Sequence, residues 1–188
     1  MKKMGVWEKI PKSRMPPNKR CVKHKWVLNI KRNGVFRARL VACGYSQIPG
    51  VDFTENFAPV INDVTYRILL ILSIMKGYKP VLIDVETAFL HGDLDEEIYM
   101  ECPKGLPHYK EEVLLLKKSL YGLVQAARQY NLHWIGVLKN IGLKQSPVDP
   151  CLFVVSGPIF LETYVDDNMM IVDASSIDNL INNIKNQV

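Results

Sequence analysis

Apolar positions along the chain fall into short alternating runs and two longer periodic stretches, separated by polar turns. The segment "KHKWVLNIKRNGVFRARLVACGY" predicts two strands joined at Asn33-Gly34, a pair that tolerates the positive φ of a tight hairpin turn. The lead-in before it, "VWEKIPKSRMPPNKR", is punctuated by proline and predicts irregular structure. In "DVTYRILLILSIMKGY", Val64, Ile68, Ile71, Leu72 and Met75 recur at helical spacing, with Asn62 or Asp63 as N-cap and Gly77 as stop. This predicts a helix that buries that face. A second long helix is predicted from about Gln125 to Ile141, with Ala127, Tyr130, Trp134, Val137, Leu138 and Ile141 inward and Gly142 ending it.

The remaining runs read as strands. "KPVLID" is apolar up to Asp84 and passes into a helical turn through Thr87 to Leu90. "DLDEEIYMECP", "EVLLLKKSLYG", "SPVDPCLFVV" and "IFLETYVDDNMMIV" follow, the last broken as a hairpin at Asp166-Asp167. The order lacks the regular alternation of a parallel sheet. It predicts an α+β fold with an antiparallel sheet backed by two helices.

Charge sharpens this picture. The 188 residues carry a net +5, but residues 1–41 hold 13 Lys/Arg against the single acid Glu8, while the rest is net acidic. A one-sided positive field suits a polyanion such as nucleic acid, and equally a solvated tail. The four cysteines are widely spaced without a C-x-x-C pair, which argues against a zinc site and a disulfide framework. The cysteines read as ordinary reduced, intracellular thiols, and "ILLILSIM" is far short of the roughly 20 apolar residues of a membrane helix, so no membrane partner is expected.

Adjacent strand residues point to opposite faces, so Asp166 and Asp167 can act together only at a turn. Carboxylates held close raise one another's pKa unless a cation is present. Asp84, at the end of another apolar strand, supplies a third. Three carboxylates at two strand ends suit a pair of Mg²⁺ ions completed by waters and substrate phosphates, and hence phosphoryl transfer. The plainer alternative is a polar turn and a strand terminus.

Six stretches, "KWVLNIKRNGVFRARLVACGYSQ", "GVDFTENFAPV", "LIDVETAFLHGDLDEEIYMECPKG", "LKKSLYGLVQAARQ", "SPVDPCLF" and "YVDD", occur in the order found in copia-type (Ty1/copia) retrotransposon reverse transcriptases, which the chain resembles over about residues 7–172. The resemblance implies a right-hand polymerase, with fingers at about 1–60 and 93–125 and palm at about 61–92 and 126–188. It implies RNA-directed DNA synthesis from a deoxynucleoside triphosphate (dNTP) on an RNA/DNA template-primer, with two Mg²⁺ ions or Mn²⁺. Asp84 and Asp166 would be the principal metal ligands, assisted by the Val85 carbonyl, with Asp167 the third carboxylate. Arg37 and Arg39 match the strand that contacts the triphosphate, a task for forked guanidinium groups. Phe89 matches the aromatic beneath the incoming sugar, where it would exclude a 2′-hydroxyl; as a residue it also reads as core. Tyr121 and Gln125 match the turn and helix start beside nucleotide and template. Trp26 is expected in the core, although Trp26, Tyr45 and the neighbouring lysines could also serve single-stranded template binding.

The chain departs from the family pattern at Cys43, Asn62, Val124, Ala127, Tyr130 and Asn168, but at none of the three aspartates. The resemblance also implies a thumb and a ribonuclease H domain beyond Val188, and a cytoplasmic particle or the nucleus as location. Without those segments the chain is expected to polymerise poorly on its own. The alternative is a catalytically silent nucleic-acid-binding remnant.

Overall fold

The structure is a computed structural model, which describes residues 4–155, 159–173 and 175–187. In chain order the strands and helices begin with β1 (Trp7–Pro11), β2 (Cys21–Val22), β3 (His24–Ile30), β4 (Phe36–Ala42), α1 (Asp63–Lys76) and β5 (Lys79–Asp84). After a 3-10 turn at Ala88–His91 come β6 (Asp93–Glu101), β7 (Glu112–Lys118), α2 (Ala126–Asn140) and β8 (Lys144–Gln145). The chain closes with β9 (Leu152–Val155), β10 (Ile159–Tyr164), β11 (Asp167–Val172) and α3 (Ile177–Lys185). No described helix is long and apolar enough to cross a membrane.

The chain divides into two compact units, Met1–Phe57 with Phe89–Tyr130, and Ala58–Ala88 with Asn131–Val188. In the first, a four-stranded sheet has the order β1-β7-β6-β2, antiparallel except for the β2–β6 pair. Its core gathers Val22, Leu40, Ile98, Met100, Leu114 and Leu116. The proline-punctuated lead-in is not irregular: it contains β1, paired from Trp7↔Leu116 to Pro11↔Glu112. Val6 and Ile10 drive this by burial, and Pro11 is tolerated because it ends an edge strand.

Strands β3 and β4 pair as a separate hairpin. Its turn is wider than two residues: Lys31 N–H donates to Val35 C=O at 2.9 Å, and Gly34 alone takes a positive φ, +80°. The base of the hairpin is buried through Leu40 and Ala42, where Ala42 N–H donates to Tyr121 C=O at 2.8 Å. Gly122 makes this approach possible, because a Cβ there would collide with the Ala42 carbonyl and its φ is +88°. Trp26, expected in the core, is half exposed on this hairpin.

The second unit is built on an antiparallel sheet ordered β5-β11-β10-β9-β8. Helix α1 is capped as its sequence demands: the Asn62 side chain accepts from Val64 N–H at 2.9 Å, and Gly77 closes it with φ +66°. Its buried face differs from the one predicted. Leu69 and Ser73 are buried, with Tyr66, Leu70 and Leu72 packed beside Met169 and Ile171 of β11. Ile68 (51% exposed), Ile71 (57%) and Met75 (73%) point outward. With apolar residues nearly all round this helix, periodicity does not select a face.

The opposite sheet face carries Asn168, Met170 and Val172, all buried, and meets α2 through Trp134. The two expected helices thus cover opposite faces of the sheet. A third, α3, was not anticipated, although Leu180 and Ile184 repeat at helical spacing and both are buried.

Candidate active site

The register of the second unit's sheet assembles the site. Antiparallel pairing of β5 with β11 runs from Lys79↔Val172 to Asp84↔Asp167, so these two aspartates are direct cross-strand partners on one face. Pairing of β10 with β11 ends at Tyr164↔Asp167, which leaves Val165 and Asp166 as a two-residue turn. Asp166 therefore stands on the turn beside the Asp84–Asp167 pair. Beyond the last strand pair, Val85 N–H donates to Asp166 C=O at 3.1 Å and ties the end of β5 to the turn.

Two β-branched residues next to these carboxylates adopt left-handed backbone, Thr87 at φ +56° and Val165 at +53°. This region normally falls to glycine, and holding such residues there costs about 1–3 kcal/mol each. The compensating anchor at the turn is Asn168. Its Oδ1 accepts from Trp134 Nε1–H at 2.9 Å, while Nδ2 donates to the carbonyls of Asp166 (3.1 Å) and Ile83 (3.4 Å). One buried amide thus holds the turn, the β5 end and α2 together. Its signal in the sequence is a polar residue inside an apolar run, which by itself marks a departure from the family pattern and not an anchor.

Asp84, Asp166 and Asp167 are all exposed, and among the described residues no hydrogen bond or ion pair engages their carboxylates. Hard oxygen donors of this kind fit a divalent cation such as Mg²⁺. They do not form a closed cage: no three described His, Cys, Asp or Glu side chains converge closely enough to hold a metal ion by themselves. Waters and substrate oxygens would have to complete the shell, as Mg²⁺ commonly requires.

The remaining candidates lie in the first unit. The Arg39 guanidinium sits over the Tyr121 ring, 5.7 Å from its centroid, whereas Arg37 is free in solvent on the same strand. Phe89 packs edge-on against Tyr121 (5.0 Å, 82°) and Tyr130 (6.3 Å, 84°) beside the unit's core. Gln125 is fully buried: its Nε2 donates to Asp52 C=O at 2.9 Å, and its Oε1 accepts from Gln47 Nε2 at 3.0 Å. That side chain braces the start of α2.

A basic cavity of about 510 Å³ in the same unit, not foreseen from the sequence, is lined by Lys12, Lys19, Arg20, Lys104, Lys110 and His24 among others. Burial holds His24 below its ordinary value despite the opposing pull of Glu101. The positive charge of this cavity therefore comes from its lysines and arginine.

A profile described as reverse transcriptase (RNA-dependent DNA polymerase) matches residues 6–188. The chain is 40% identical over 168 residues to the retrovirus-related Pol polyprotein from transposon TNT 1-94 of Nicotiana tabacum, covering 84% of this chain and 13% of that protein. It is 33% identical over 193 residues to the corresponding polyprotein from transposon RE1 of Arabidopsis thaliana, covering 95% and 13%. It is 28% identical over 196 residues to the truncated transposon Ty1-A Gag-Pol polyprotein of Saccharomyces cerevisiae, covering 98% and 16%. The chain therefore spans less than a fifth of the length of these relatives. With a strand-end trio of aspartates and a profile match over nearly its whole length, this chain belongs to the reverse transcriptase family, in its copia-type branch.

Proposed function

We propose that the chain is the fingers-and-palm part of an RNA-directed DNA polymerase, the second unit acting as palm and the first as fingers. The observation that carries this reading is the β5–β11 register, which sets Asp84 opposite Asp167 with Asp166 on the adjoining turn. The two-unit division at Phe57/Ala58, Ala88/Phe89 and Tyr130/Asn131 supports the assignment.

In the reaction, a primer 3′-hydroxyl attacks the α-phosphate of a dNTP, a new P–O bond forms, and pyrophosphate leaves. Asp84 and Asp166 are the ligands proposed for two Mg²⁺ ions, with Asp167 and the Val85 carbonyl assisting. Bound there, the ions supply Lewis-acid polarisation of the phosphoryl group and a more acidic attacking hydroxyl. The protein's part is to keep these carboxylates exposed and the turn fixed, through Asn168 and the Val85–Asp166 hydrogen bond. Arg37 and Arg39 are assigned to the triphosphate, where the Tyr121 ring pre-orients Arg39. Phe89, braced by two rings, is assigned to excluding a ribose 2′-hydroxyl. Gln125 contributes by bracing the helix start.

Primer extension on an RNA template with dNTPs and Mg²⁺ tests this. Asp166→Asn should lower incorporation by more than about 100-fold, because lost charge stabilisation at the metal site is worth several kcal/mol. Melting measured in parallel should be little changed, since Asp166 is exposed and unpaired. Incorporation at background level by both proteins, or no shift in melting of the wild type on adding Mg²⁺ and dNTP, would favour a silent nucleic-acid-binding remnant, and robust incorporation that survives Asp166→Asn would overturn the role given to Asp166.

A further inference from the structure

The second unit holds a cavity of about 260 Å³ between the start of α1 and the ends of β5, β10 and β11. Its wall includes Asp63, Tyr66, Leu82, Glu162, Tyr164 and Asp167. Glu162 is 0% exposed, yet neither carboxylate oxygen has a hydrogen-bond partner among the described residues. The strand register explains its direction. Glu162 pairs with Met169, and Tyr164 with Asp167, so alternation puts the Glu162 side chain on the same face as Asp167 and the Asp84 pair.

A buried carboxyl without partners is costly in either protonation state. Ionised, it lacks donors; protonated, its O–H lacks an acceptor. The feature is therefore an unmet need for a partner, which for the ionised carboxylate is a donor. Three properties of the wall define what would meet it. Among the described residues no lysine or arginine lines the cavity, and three of its side chains are acids, which excludes an anion. The rest of the wall is largely apolar, through Leu82, Met169 and Ile61. That is a poor shell for a hydrated metal ion, and no three carboxylates converge there. Finally, Tyr66 and Tyr164 provide aromatic rings, which attract organic cations.

We propose that this cavity binds a small amphiphilic organic cation, its protonated amine paired with Glu162 and its apolar body against Leu82 and Tyr66. The volume lies just below the roughly 300–1,000 Å³ of drug-sized sites, so the occupant is of fragment size. The wall shares Asp167 with the proposed metal site, but the defining carboxylate, Glu162, is not among the aspartates assigned to metal, so the cavity does not rest on the polymerase reading.

The test is a titration at pH 8, where Glu162 is ionised and the amine still protonated, without Mg²⁺ or nucleotide, of the whole chain with 2-phenylethylamine and with the same-shaped neutral 2-phenylethanol, followed by NMR chemical-shift changes. Wild-type protein should bind the amine at least 10-fold more tightly than the alcohol. Glu162→Gln, which keeps the side-chain shape and removes the charge, should abolish that preference. Leu82→Trp places bulk at a position 79% exposed, so it leaves the fold intact, and it should block both ligands. Equal affinities for amine and alcohol in the wild type would overturn the proposal. So would a preference that survives Glu162→Gln, or binding that Leu82→Trp leaves unaltered.

Discussion

Two polar side chains of the same hairpin, Glu162 and Asn168, meet burial in opposite ways. Asn168 satisfies both ends of its amide, and so its burial fixes the turn that carries Asp166. Glu162 is satisfied at neither oxygen, and burial, reinforced by the charge of Asp149, raises its carboxyl from the ordinary 4.5 to about 7. Among the described residues the titratable groups around it are Asp63, Tyr66, Asp149, Cys151, Tyr164 and Asp167, none of them a base. Between pH 4.5 and about 7 the folded protein holds a proton on Glu162 that the unfolded chain has released. Stability from this group is therefore present at low pH, falls as pH rises through that window, and levels off above it. Glu162→Gln should remove the slope and leave the variant more stable than wild type at pH 8 by on the order of 2–3 kcal/mol. Urea unfolding at pH 5 and pH 8 measures this, and parallel profiles for the two proteins would contradict it.

Helix α1 shows how far an element can be known while its orientation is not. Its limits are written in Asn62 and Gly77, and both act as the sequence requires. Its packing follows Tyr66, Leu69 and Ser73 rather than Ile68, Ile71 and Met75. The consequence is a clear mutational contrast. Leu69→Ala should cost about 2–4 kcal/mol, as for other buried leucines, while Ile71→Ser should cost less than about 0.5 kcal/mol, as at an exposed position. Chemical denaturation of the two variants distinguishes the faces, and comparable losses would restore the face expected from periodicity. The same limit governs the rest of the molecule. The β3–β4 hairpin, both ends of α2 and the break between β10 and β11 were legible because glycine, apolar spacing and paired acids are local signals. Strand β1, the parallel β2–β6 pair and the Asp84↔Asp167 register depend on partners distant in sequence, which no local pattern encodes. The aspartates themselves could be picked out, whereas the Trp134–Asn168 bond behind them could not. Helix α3 has only Leu180 and Ile184 as its buried apolar pair, a spacing too brief to announce a helix by itself.

Across the whole chain, charge follows the division into units. The first unit carries 18 Lys/Arg and 10 Asp/Glu, and the second 6 and 9, so the first is net +8 and the second net −3. Much of the first unit's excess stands on the β3–β4 hairpin, where Lys25, Lys31, Arg32 and Arg37 are exposed beside the exposed rings of Trp26 and Phe36. Interleaved cations and aromatic faces suit single-stranded nucleic acid, the cations meeting phosphates and the rings stacking on bases. Binding that depends on phosphate contacts releases counterions, so affinity should fall linearly with salt on a log–log plot, by about 0.7 per contact for a single strand. Replacing Lys25, Lys31 and Arg32 together by glutamine should therefore flatten that slope by up to about 2, with weaker binding at low salt. Fluorescence anisotropy of a labelled RNA oligonucleotide over a KCl series reads the slope directly. Asp178→Asn on α3 provides the control, because it alters an exposed acid of the second unit away from the proposed active site and should leave the slope unchanged. A triple variant with the wild-type slope would move the nucleic-acid contacts off the hairpin, leaving the basic cavity lined by Lys12, Lys19, Lys104 and Lys110 as the surface to test next.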